Sequence, residues 1–212
     1  MLTEQHNFWK SSFADKYIKR NSFKDYQSFN NFYKKRYGYT REEINNLFLK
    51  NISKKKPILE VGCNIGNQLY ALNKIGFKNL FGVDINNKSL KIAKKKYNYN
   101  FIESQAEDLP FKNNFFNLIF TNNVLIHVSP KKINKVMEEI YRCTSKYICG
   151  FEYYDNDFTE IKYRNNDNKL WKANYSKIFI SKFRNLRLVK EKIYMNLDNN
   201  KNYDKFFLLK KI

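Results

Sequence analysis

The stretch that decides the fold is Pro57-Ile-Leu-Glu-Val-Gly-Cys-Asn-Ile-Gly66. It is a short apolar run that ends in a glycine-containing turn, which is typical of a strand buried inside a parallel sheet. After this strand, apolar runs alternate with segments of helical periodicity as far as residue 151. Such alternation predicts a parallel sheet that is covered by helices on both faces.

Four further runs are predicted to be strands of the same sheet, at residues 80–84, 101–102, 118–121 and 147–151. Between them lie segments of helical spacing, with Gly76 placed to end one helix and Ser129-Pro130 to begin another. Residues 188–195 and 206–209 are strand-like runs joined by a short polar stretch, which suits an antiparallel pair. We therefore expect an α/β fold with a Rossmann-like, doubly wound, mostly parallel sheet and an antiparallel C-terminal edge feature.

Residues 1–51 are predicted to form helices that precede this sheet. Aromatic residues such as Trp9, Phe13 and Tyr17 recur there at helical spacing, and core packing is the simpler explanation for most of them. Thr40 and Glu43 have the spacing of a capping box, which begins another helix. We expect a helical cap over residues 1–51 and a main domain over residues 52–212, together forming one globular unit.

The chain has 212 residues and a net charge of +20, a field that attracts polyanions such as nucleic acids. Lysine greatly outnumbers arginine, and asparagine, isoleucine, phenylalanine and tyrosine are abundant, which is the residue bias of an AT-rich genome. The basic runs are scattered along the chain and are not collected in one segment. We therefore expect no specific nucleic-acid partner.

The composition also argues against metal-binding and membrane-spanning classes. Cys63, Cys143 and Cys149 lack the spacing of a zinc site and only two histidines accompany them, so we expect no metal and a reducing compartment. No apolar run approaches the ~18 residues of a membrane span, and the first residues lack the apolar stretch of a signal peptide. We expect a cytoplasmic protein without a membrane span.

The loop after the first strand has two interpretations. A dinucleotide-binding fingerprint needs glycine at the first, third and sixth positions, and only Gly62 matches, because Asn64 and Asn67 occupy the other two. A loop of the S-adenosylmethionine-binding type needs glycine at the first, third and fifth positions after an acid. Gly62, Gly66 and the preceding Glu60 match it, and Asn64 tolerates a positive φ better than most residues.

Asp84 ends the second predicted strand, 18 residues after Gly66. A carboxylate at this place in an α/β sheet can accept hydrogen bonds from both hydroxyls of a ribose. Together with the loop, and with segments 104–111 and 115–127, this arrangement resembles the class I S-adenosylmethionine-dependent methyltransferases. Gln105 stands where many members of that family have aspartate. The resemblance implies S-adenosylmethionine as the cofactor, bound by Glu60, Gly62, Asn64, Gly66, Asp84, Ile85, Gln105, Ala106 and Asn122.

Several more specific segments run from the first helix to about Tyr175. They are Phe8-Trp9-x-x-x-Phe13-x-x-x-Tyr17-Ile-Lys-Arg20-Asn21, Val124-Leu-Ile-His127, Phe151-Glu-Tyr-Tyr154, Lys162-Tyr-Arg164 and Lys169-Leu-Trp-Lys172. In these segments the chain resembles the pseudaminic acid biosynthesis-associated methylase family. That resemblance implies a bacterial methyltransferase of nonulosonic (pseudaminic) acid or flagellin-glycan biosynthesis, and it leaves the acceptor open.

Methyl transfer to a hydroxyl or an amine needs an in-line approach to the methyl group and can use a base. His127 follows the fourth predicted strand and suits a base near neutral pH, although a backbone hydrogen bond is an equal alternative. Glu152 follows the fifth strand and is the second candidate catalytic residue. We expect Tyr153, Tyr154 and Arg164 to bind the acceptor, because a planar guanidinium group suits a carboxylate.

The leading hypothesis is a methyltransferase that acts on a small molecule, a sugar nucleotide or a glycan precursor. An RNA methyltransferase is the first alternative because of the positive charge. However, Thr121-Asn-Asn-Val124 departs from the Asn/Asp-Pro-Pro-Tyr/Phe segment of enzymes that methylate the amino groups of nucleic acids. A protein that binds S-adenosylmethionine without catalysing turnover is the second alternative.

Overall fold

The computed structural model describes residues 4–198 and 202–212. The strands are β1 (Ile58–Val61), β2 (Leu80–Asp84), β3 (Asn100–Glu103), β4 (Phe116–Asn122), β5 (Thr144–Tyr154), β6 (Thr159–Glu160), β7 (Trp171–Lys172), β8 (Leu186–Met195) and β9 (Tyr203–Lys211). Within the described residues, seven of them form one sheet in the order β3-β2-β1-β4-β5-β9-β8, and β6 pairs with β7. β1 to β5 run parallel, whereas β9 lies antiparallel between β5 and β8.

The predicted fold class and the antiparallel C-terminal pair are confirmed by this topology. The observed β3, β4 and β5 are longer than predicted, because ladder hydrogen bonds continue through polar residues that the apolar runs leave out. The sequence prediction missed β6 and β7, which have two residues each, and the short helix that follows them.

The helices are α1 (Glu4–Lys10), α2 (Ser12–Arg20), α3 (Tyr26–Tyr37), α4 (Arg41–Leu49), α5 (Asn67–Lys74), α6 (Asn87–Lys96), α7 (Pro130–Cys143) and α8 (Tyr175–Lys182). A single 3₁₀ turn follows β4 at Leu125–His127. None of the helices in the described parts of the chain is long and apolar enough to cross a membrane.

Local capping signals decide most helix boundaries. The Thr40 and Glu43 capping box forms both of its hydrogen bonds at the start of α4, as predicted. Ser129 occupies the N-cap of α7 before Pro130, but its side chain makes no capping hydrogen bond. The aromatic stripe of the first residues is interrupted, because the Ser11 hydroxyl accepts a hydrogen bond from the Phe13 amide and starts α2.

Helices pack on both faces of the sheet. α3, α4, α5 and α6 cover one face, where the rings of Phe48 and Phe206 stack with their centroids 4.1 Å apart. α7 and α8 cover the other face through residues such as Ile133 and Phe179. Burying one such side chain contributes roughly 1.5–3 kcal/mol to stability, so α3 and α4 are held firmly on the sheet. The domain boundary at residue 51 stays a prediction.

The remaining helices, α1 and α2, lie across the carboxyl ends of β2 and β3. Asn86 donates a hydrogen bond of 2.8 Å to the main-chain oxygen of Trp9, and Lys88 forms an ion pair with Asp15. Exposed ion pairs contribute little, and aromatic contacts from Trp9 to His127 and from Phe13 to Tyr163 also join these helices to the rest of the chain. This edge of the sheet, covered by α1 and α2, holds the candidate active site.

Candidate active site

The loop after β1 has the backbone that a close approach to a ligand requires. Gly62, Asn64 and Gly66 have φ angles of +72°, +47° and +82°, so all three lie in the left-handed region. A Cβ on Gly62 would lie 2.5 Å from Cγ2 of Val124, and one on Gly66 would lie 3.1 Å from Cζ of Phe101. The glycines are therefore required both by backbone conformation and by space. Asn64 adopts the positive φ that its residue type tolerates.

Asp84 ends β2 with its carboxylate beside this loop. One oxygen accepts a hydrogen bond of 2.7 Å from the Asn64 amide and the other accepts one of 2.8 Å from the Asn86 amide. Burial raises the pKa of the carboxyl, and these backbone amides oppose the shift by favouring the charged form. A carboxylate has about four acceptor positions, so about two of them stay available for a ligand.

Two cavities open at this edge of the sheet. The first has a volume of about 140 Å³ and is bordered by the loop, by Asp84 at the end of β2, by the following Ile85, and by Ala106 after β3. The second has a volume of about 450 Å³ and extends from the same loop towards α2, α3 and the turn at Arg164. Both cavities are lined by Tyr17, Gly62, Asn64, Asn122, Asn123 and His127. They therefore meet at one shared wall.

His127 lies in the shared wall with a defined protonation state. Its Nδ1 is 2.7 Å from the main-chain oxygen of Lys169. Because a carbonyl oxygen only accepts, Nδ1 carries the proton in this contact and Nε2 is left as an acceptor. Burial lowers the pKa of His127 to about 4, so the ring is neutral at physiological pH. The ring packs against Trp9 and Tyr163, with centroids 4.7 and 4.9 Å away.

Glu152 lies behind the wall and lines neither cavity. It is 1% exposed, and its carboxylate accepts hydrogen bonds from the amides of Val124, at 3.0 Å, and Ile126, at 3.4 Å. Burial raises the pKa of Glu152 to about 7. The geometry therefore gives Glu152 a part in holding the 3₁₀ turn that carries His127.

The other predicted site residues are divided between the cavities and the surrounding structure. Glu60, Asn122, Tyr153 and Arg164 line the second cavity. Gly66, Gln105 and Tyr154 line neither, and the Tyr154 hydroxyl donates a hydrogen bond to Asn156. Burial raises the pKa of Glu60 well above its ordinary value, and nearby Arg41 opposes that shift.

Sequence reasoning did not identify Arg20, Arg36 and Arg41 as site residues. Arg20 and Arg36 line the second cavity. Arg41 is 2% exposed and donates a hydrogen bond of 2.9 Å to Oδ1 of Asn122, so it orients a residue of the shared wall. The rarity of arginine in a lysine-rich chain was the available signal for all three. The same rarity applies to Arg41, but its position directly after the helix cap Thr40 gives no indication that it reaches Asn122.

Comparisons with known proteins agree with this fold. Residues 58–146 match the sequence profile of a family described as "Methyltransferase domain". An uncharacterized protein of Methanocaldococcus jannaschii is 31% identical over 118 residues, which are 53% of this chain and 44% of that protein. The chain thus spans less than half the length of this relative.

Two solved structures show the same architecture over the whole chain. Magnesium protoporphyrin IX methyltransferase from Synechocystis PCC 6803, solved with bound S-adenosylmethionine, has a TM-score of 0.72 and 10% identity, with 100% of this chain and 99% of that chain covered. A protein of Pyrococcus horikoshii OT3 has a TM-score of 0.66 and 16% identity, with 100% of both chains covered. At these identities the likeness concerns the fold. Taken with the profile matched over residues 58–146, it gives the chain the α/β, Rossmann-like fold of the S-adenosylmethionine-binding methyltransferases.

Proposed function

We propose that the protein transfers a methyl group from S-adenosylmethionine to a small-molecule or glycan-precursor acceptor. The observation that carries this proposal is the shared wall between the two cavities, because it brings a cofactor cavity and an acceptor cavity into contact. The wall includes three asparagines, a tyrosine and a neutral histidine, which can orient polar groups from both sides.

The residues of the first cavity fit the proposed cofactor. The available acceptor positions of Asp84 suit ribose hydroxyls, and Ile85 and Ala106 offer apolar surface for an adenine ring. The left-handed backbone at Gly62 and the side chain of Asn122, both in the lining of the first cavity, suit the methionine end. When bound, S-adenosylmethionine supplies a methyl group on a positively charged sulfur.

The chain itself supplies positioning and a place for a proton. Nε2 of His127 can accept the proton of an acceptor hydroxyl or amine, because Nδ1 is already held by Lys169. The low pKa of His127 keeps Nε2 free of protons at neutral pH and makes it a modest base. Asn122, oriented by Arg41, and Tyr17 supply hydrogen-bonding groups beside it. Holding the two reactants in line accounts for much of the rate in this proposal.

The finer proposal is that the acceptor belongs to nonulosonic (pseudaminic) acid or flagellin-glycan biosynthesis. Its support is the set of segments that resemble the methylase family of that biosynthesis, two of which contribute Tyr153 and Arg164 to the second cavity. A nonulosonic acid carries a carboxylate and several hydroxyls, and the second cavity offers guanidinium, phenol and amide groups to such a molecule.

Cofactor binding is tested by calorimetry with S-adenosylhomocysteine. We expect saturable binding to the wild-type protein and a large loss of affinity in Asp84→Ala. Asp157→Ala is the matched control, because Asp157 is exposed in the loop after β5 and lines neither cavity. Absence of binding to the wild-type protein would remove the proposal.

Transfer is tested with labelled S-adenosylmethionine and three groups of acceptors: nucleotide-activated nonulosonic acids, other sugar nucleotides and total RNA. The proposal expects label in a sugar acceptor. Label in RNA would favour the RNA methyltransferase alternative, which the charge of +20 supports. Cofactor binding without transfer to any acceptor would favour a protein that binds S-adenosylmethionine without turnover.

A further inference from the structure

The second cavity has an unusual basic lining for this chain. The sequence contains 33 lysines and 7 arginines. Arg20, Arg36 and Arg164 line the second cavity, and among the described residues no lysine does. If the basic residues of this lining only reflected the composition of the chain, most of them would be lysines, because lysine is far commoner than arginine. The basic groups of this lining are therefore guanidinium groups. Each of them can form two parallel hydrogen bonds to one carboxylate or phosphate.

The three arginines come from separate parts of the chain. Arg20 ends α2, Arg36 lies in α3, and Arg164 lies in the connection between β6 and β7. They are brought together only by the packing of these elements around the carboxyl ends of the sheet. A basic run in the sequence does not explain their position.

Arg36 is held with part of its guanidinium group unpaired. Its Nη2 donates a hydrogen bond of 3.0 Å to the hydroxyl of Tyr153. Its Nε is buried and has no hydrogen-bond partner among the described residues. Leaving a buried donor unsatisfied is unfavourable, so the hydrogen-bonding capacity of this guanidinium group is incompletely used within the protein.

Arg164 is held in an unfavourable backbone conformation at the rim of the cavity. Arg164 and Asn165 have φ angles of +49° and +65°, and Tyr163 and Asn166 close the turn with two backbone hydrogen bonds. Such a turn favours asparagine and glycine, and an arginine at φ +49° is strained. Strain of this kind clusters at ligand-binding sites, where it places a side chain.

Two acidic residues bear on this charge, one in the lining of the second cavity and one behind it. Glu60 is the acidic residue that lines the second cavity in the described part of the chain. It is 2% exposed, and burial favours its neutral form. Asp204 lies near Arg36 and offsets part of its charge, although burial raises the pKa of Asp204 to about 7. The three guanidinium groups therefore outnumber the carboxylates around them.

We propose that the second cavity binds the methyl acceptor through an anionic group, a carboxylate or a phosphate, that is held by Arg20, Arg36 and Arg164. This inference rests on the proposed function, because it assigns the acceptor class of the same site. The aromatic side chains of Phe29, Tyr33 and Phe32 on the same cavity face the body of the acceptor.

The experiment uses the full chain saturated with S-adenosylhomocysteine and measures probe binding by calorimetry. The carboxylate probe is N-acetylneuraminate, with its methyl ester as the neutral match. The phosphate probe is UDP-N-acetylglucosamine, with N-acetylglucosamine as the neutral match. The variants are Arg36→Lys and Arg164→Lys, and the control is Arg184→Lys, an exposed arginine that lines neither cavity.

We expect one anionic probe to bind and its neutral match to fail. Lysine cannot reproduce the paired hydrogen bonds of arginine. Arg36→Lys and Arg164→Lys should therefore each lower the affinity for that probe by about tenfold, and Arg184→Lys should leave it unchanged. Affinity for S-adenosylhomocysteine should stay at the wild-type value in all three variants. The probe that binds identifies the source of the anion, carboxylate or phosphate.

Three results would overturn the inference while the proposed function stands: failure of both anionic probes, equal binding of a neutral match, or unchanged anion binding in the arginine variants. A loss of affinity for S-adenosylhomocysteine in Arg36→Lys and Arg164→Lys would also overturn it. That result would assign the guanidinium groups to the carboxylate of the cofactor itself. Failure of the wild-type protein to bind S-adenosylhomocysteine would instead refute the proposed function.

Discussion

His127 donates a hydrogen bond of 2.7 Å from Nδ1 to the main-chain oxygen of Lys169, and this contact joins the turn after β4 to the connection between β6 and β7. One side chain thereby links the end of the parallel sheet to the segment that carries Arg164. The same hydrogen bond leaves Nε2 as an acceptor in the wall between the cavities.

His127→Ala should lower kcat by about 10²–10⁴-fold with the acceptor found in the transfer screen, because it removes the proposed base. Affinity for S-adenosylhomocysteine should be retained, since Asp84 and the loop after β1 are untouched. In the wild-type protein, titration of His127 should not change kcat/KM around neutral pH. Protonation of His127 should lower kcat/KM only as the pH falls through about 4. An unchanged kcat in the variant would contradict a role as base and leave His127 only its structural hydrogen bond to Lys169.

Glu152→Gln should change how stability depends on pH. The pKa of Glu152 is about 7 in the folded protein against an ordinary 4.5, so its neutral form is favoured by folding. The contribution of Glu152 is therefore fully present below pH 4.5 and is lost as pH rises to about 7. Between these limits the free energy of unfolding of the wild-type protein should fall by about 3 kcal/mol relative to Glu152→Gln. Urea unfolding at several pH values measures the difference, and parallel curves for the two proteins would contradict it.

Gly62→Ala should destabilise the protein more than Gly38→Ala. Both glycines have similar angles, φ +72° and φ +76°, but a Cβ at Gly62 meets Val124 whereas one at Gly38 meets nothing within 4 Å. Gly38→Ala therefore measures the conformational cost alone, about 1–2 kcal/mol, and the clash should add about 1–3 kcal/mol at Gly62.

Val124→Ala supplies the second half of that test. If the additional cost at Gly62 comes from the clash, the double variant Gly62→Ala/Val124→Ala should recover most of it in a double-mutant cycle. Chemical denaturation of the single and double variants measures the coupling energy. Strict additivity would show that the contact with Val124 does not limit this position.

Trp9 should report cofactor binding by its fluorescence. It lines the first cavity and packs against His127, whereas Trp171, the other tryptophan, is 4% exposed and lines neither cavity. Adding S-adenosylhomocysteine should change the emission of the wild-type protein and of Trp171→Phe. In Trp9→Phe the change should be lost, and a response that persists there would show that α1 does not border the bound cofactor.

The features that were predicted correctly from the sequence are set by residues that are close together along the chain. The β1 strand and its loop follow from one short segment, and Asp84 follows from its place at the end of an apolar run. The capping box at Thr40 is equally local. The assignment of these residues to the cofactor remains a proposal, but their positions could be read from apolar runs, glycines and helix caps.

Other site residues depend on contacts between distant segments, which no local pattern contains. Glu152 was expected in the catalytic machinery, and only the packing of β5 against the turn after β4 directs it towards backbone amides. Arg36 was not singled out, and only the docking of α3 near Tyr153 brings it to the second cavity.

The sequence by itself determined the alternation of strands and helices from β1 to β5, the antiparallel C-terminal pair and the glycine-containing loop, because hydrophobic period, helix caps and glycine conformation act over a few residues. Only the tertiary structure decided which arginines out of a chain with a charge of +20 share a cavity, and which of two candidate catalytic residues, His127 or Glu152, faces it. The physical reason is that side-chain direction at a site is set by packing between segments far apart in the chain, and that packing is a property of the whole fold.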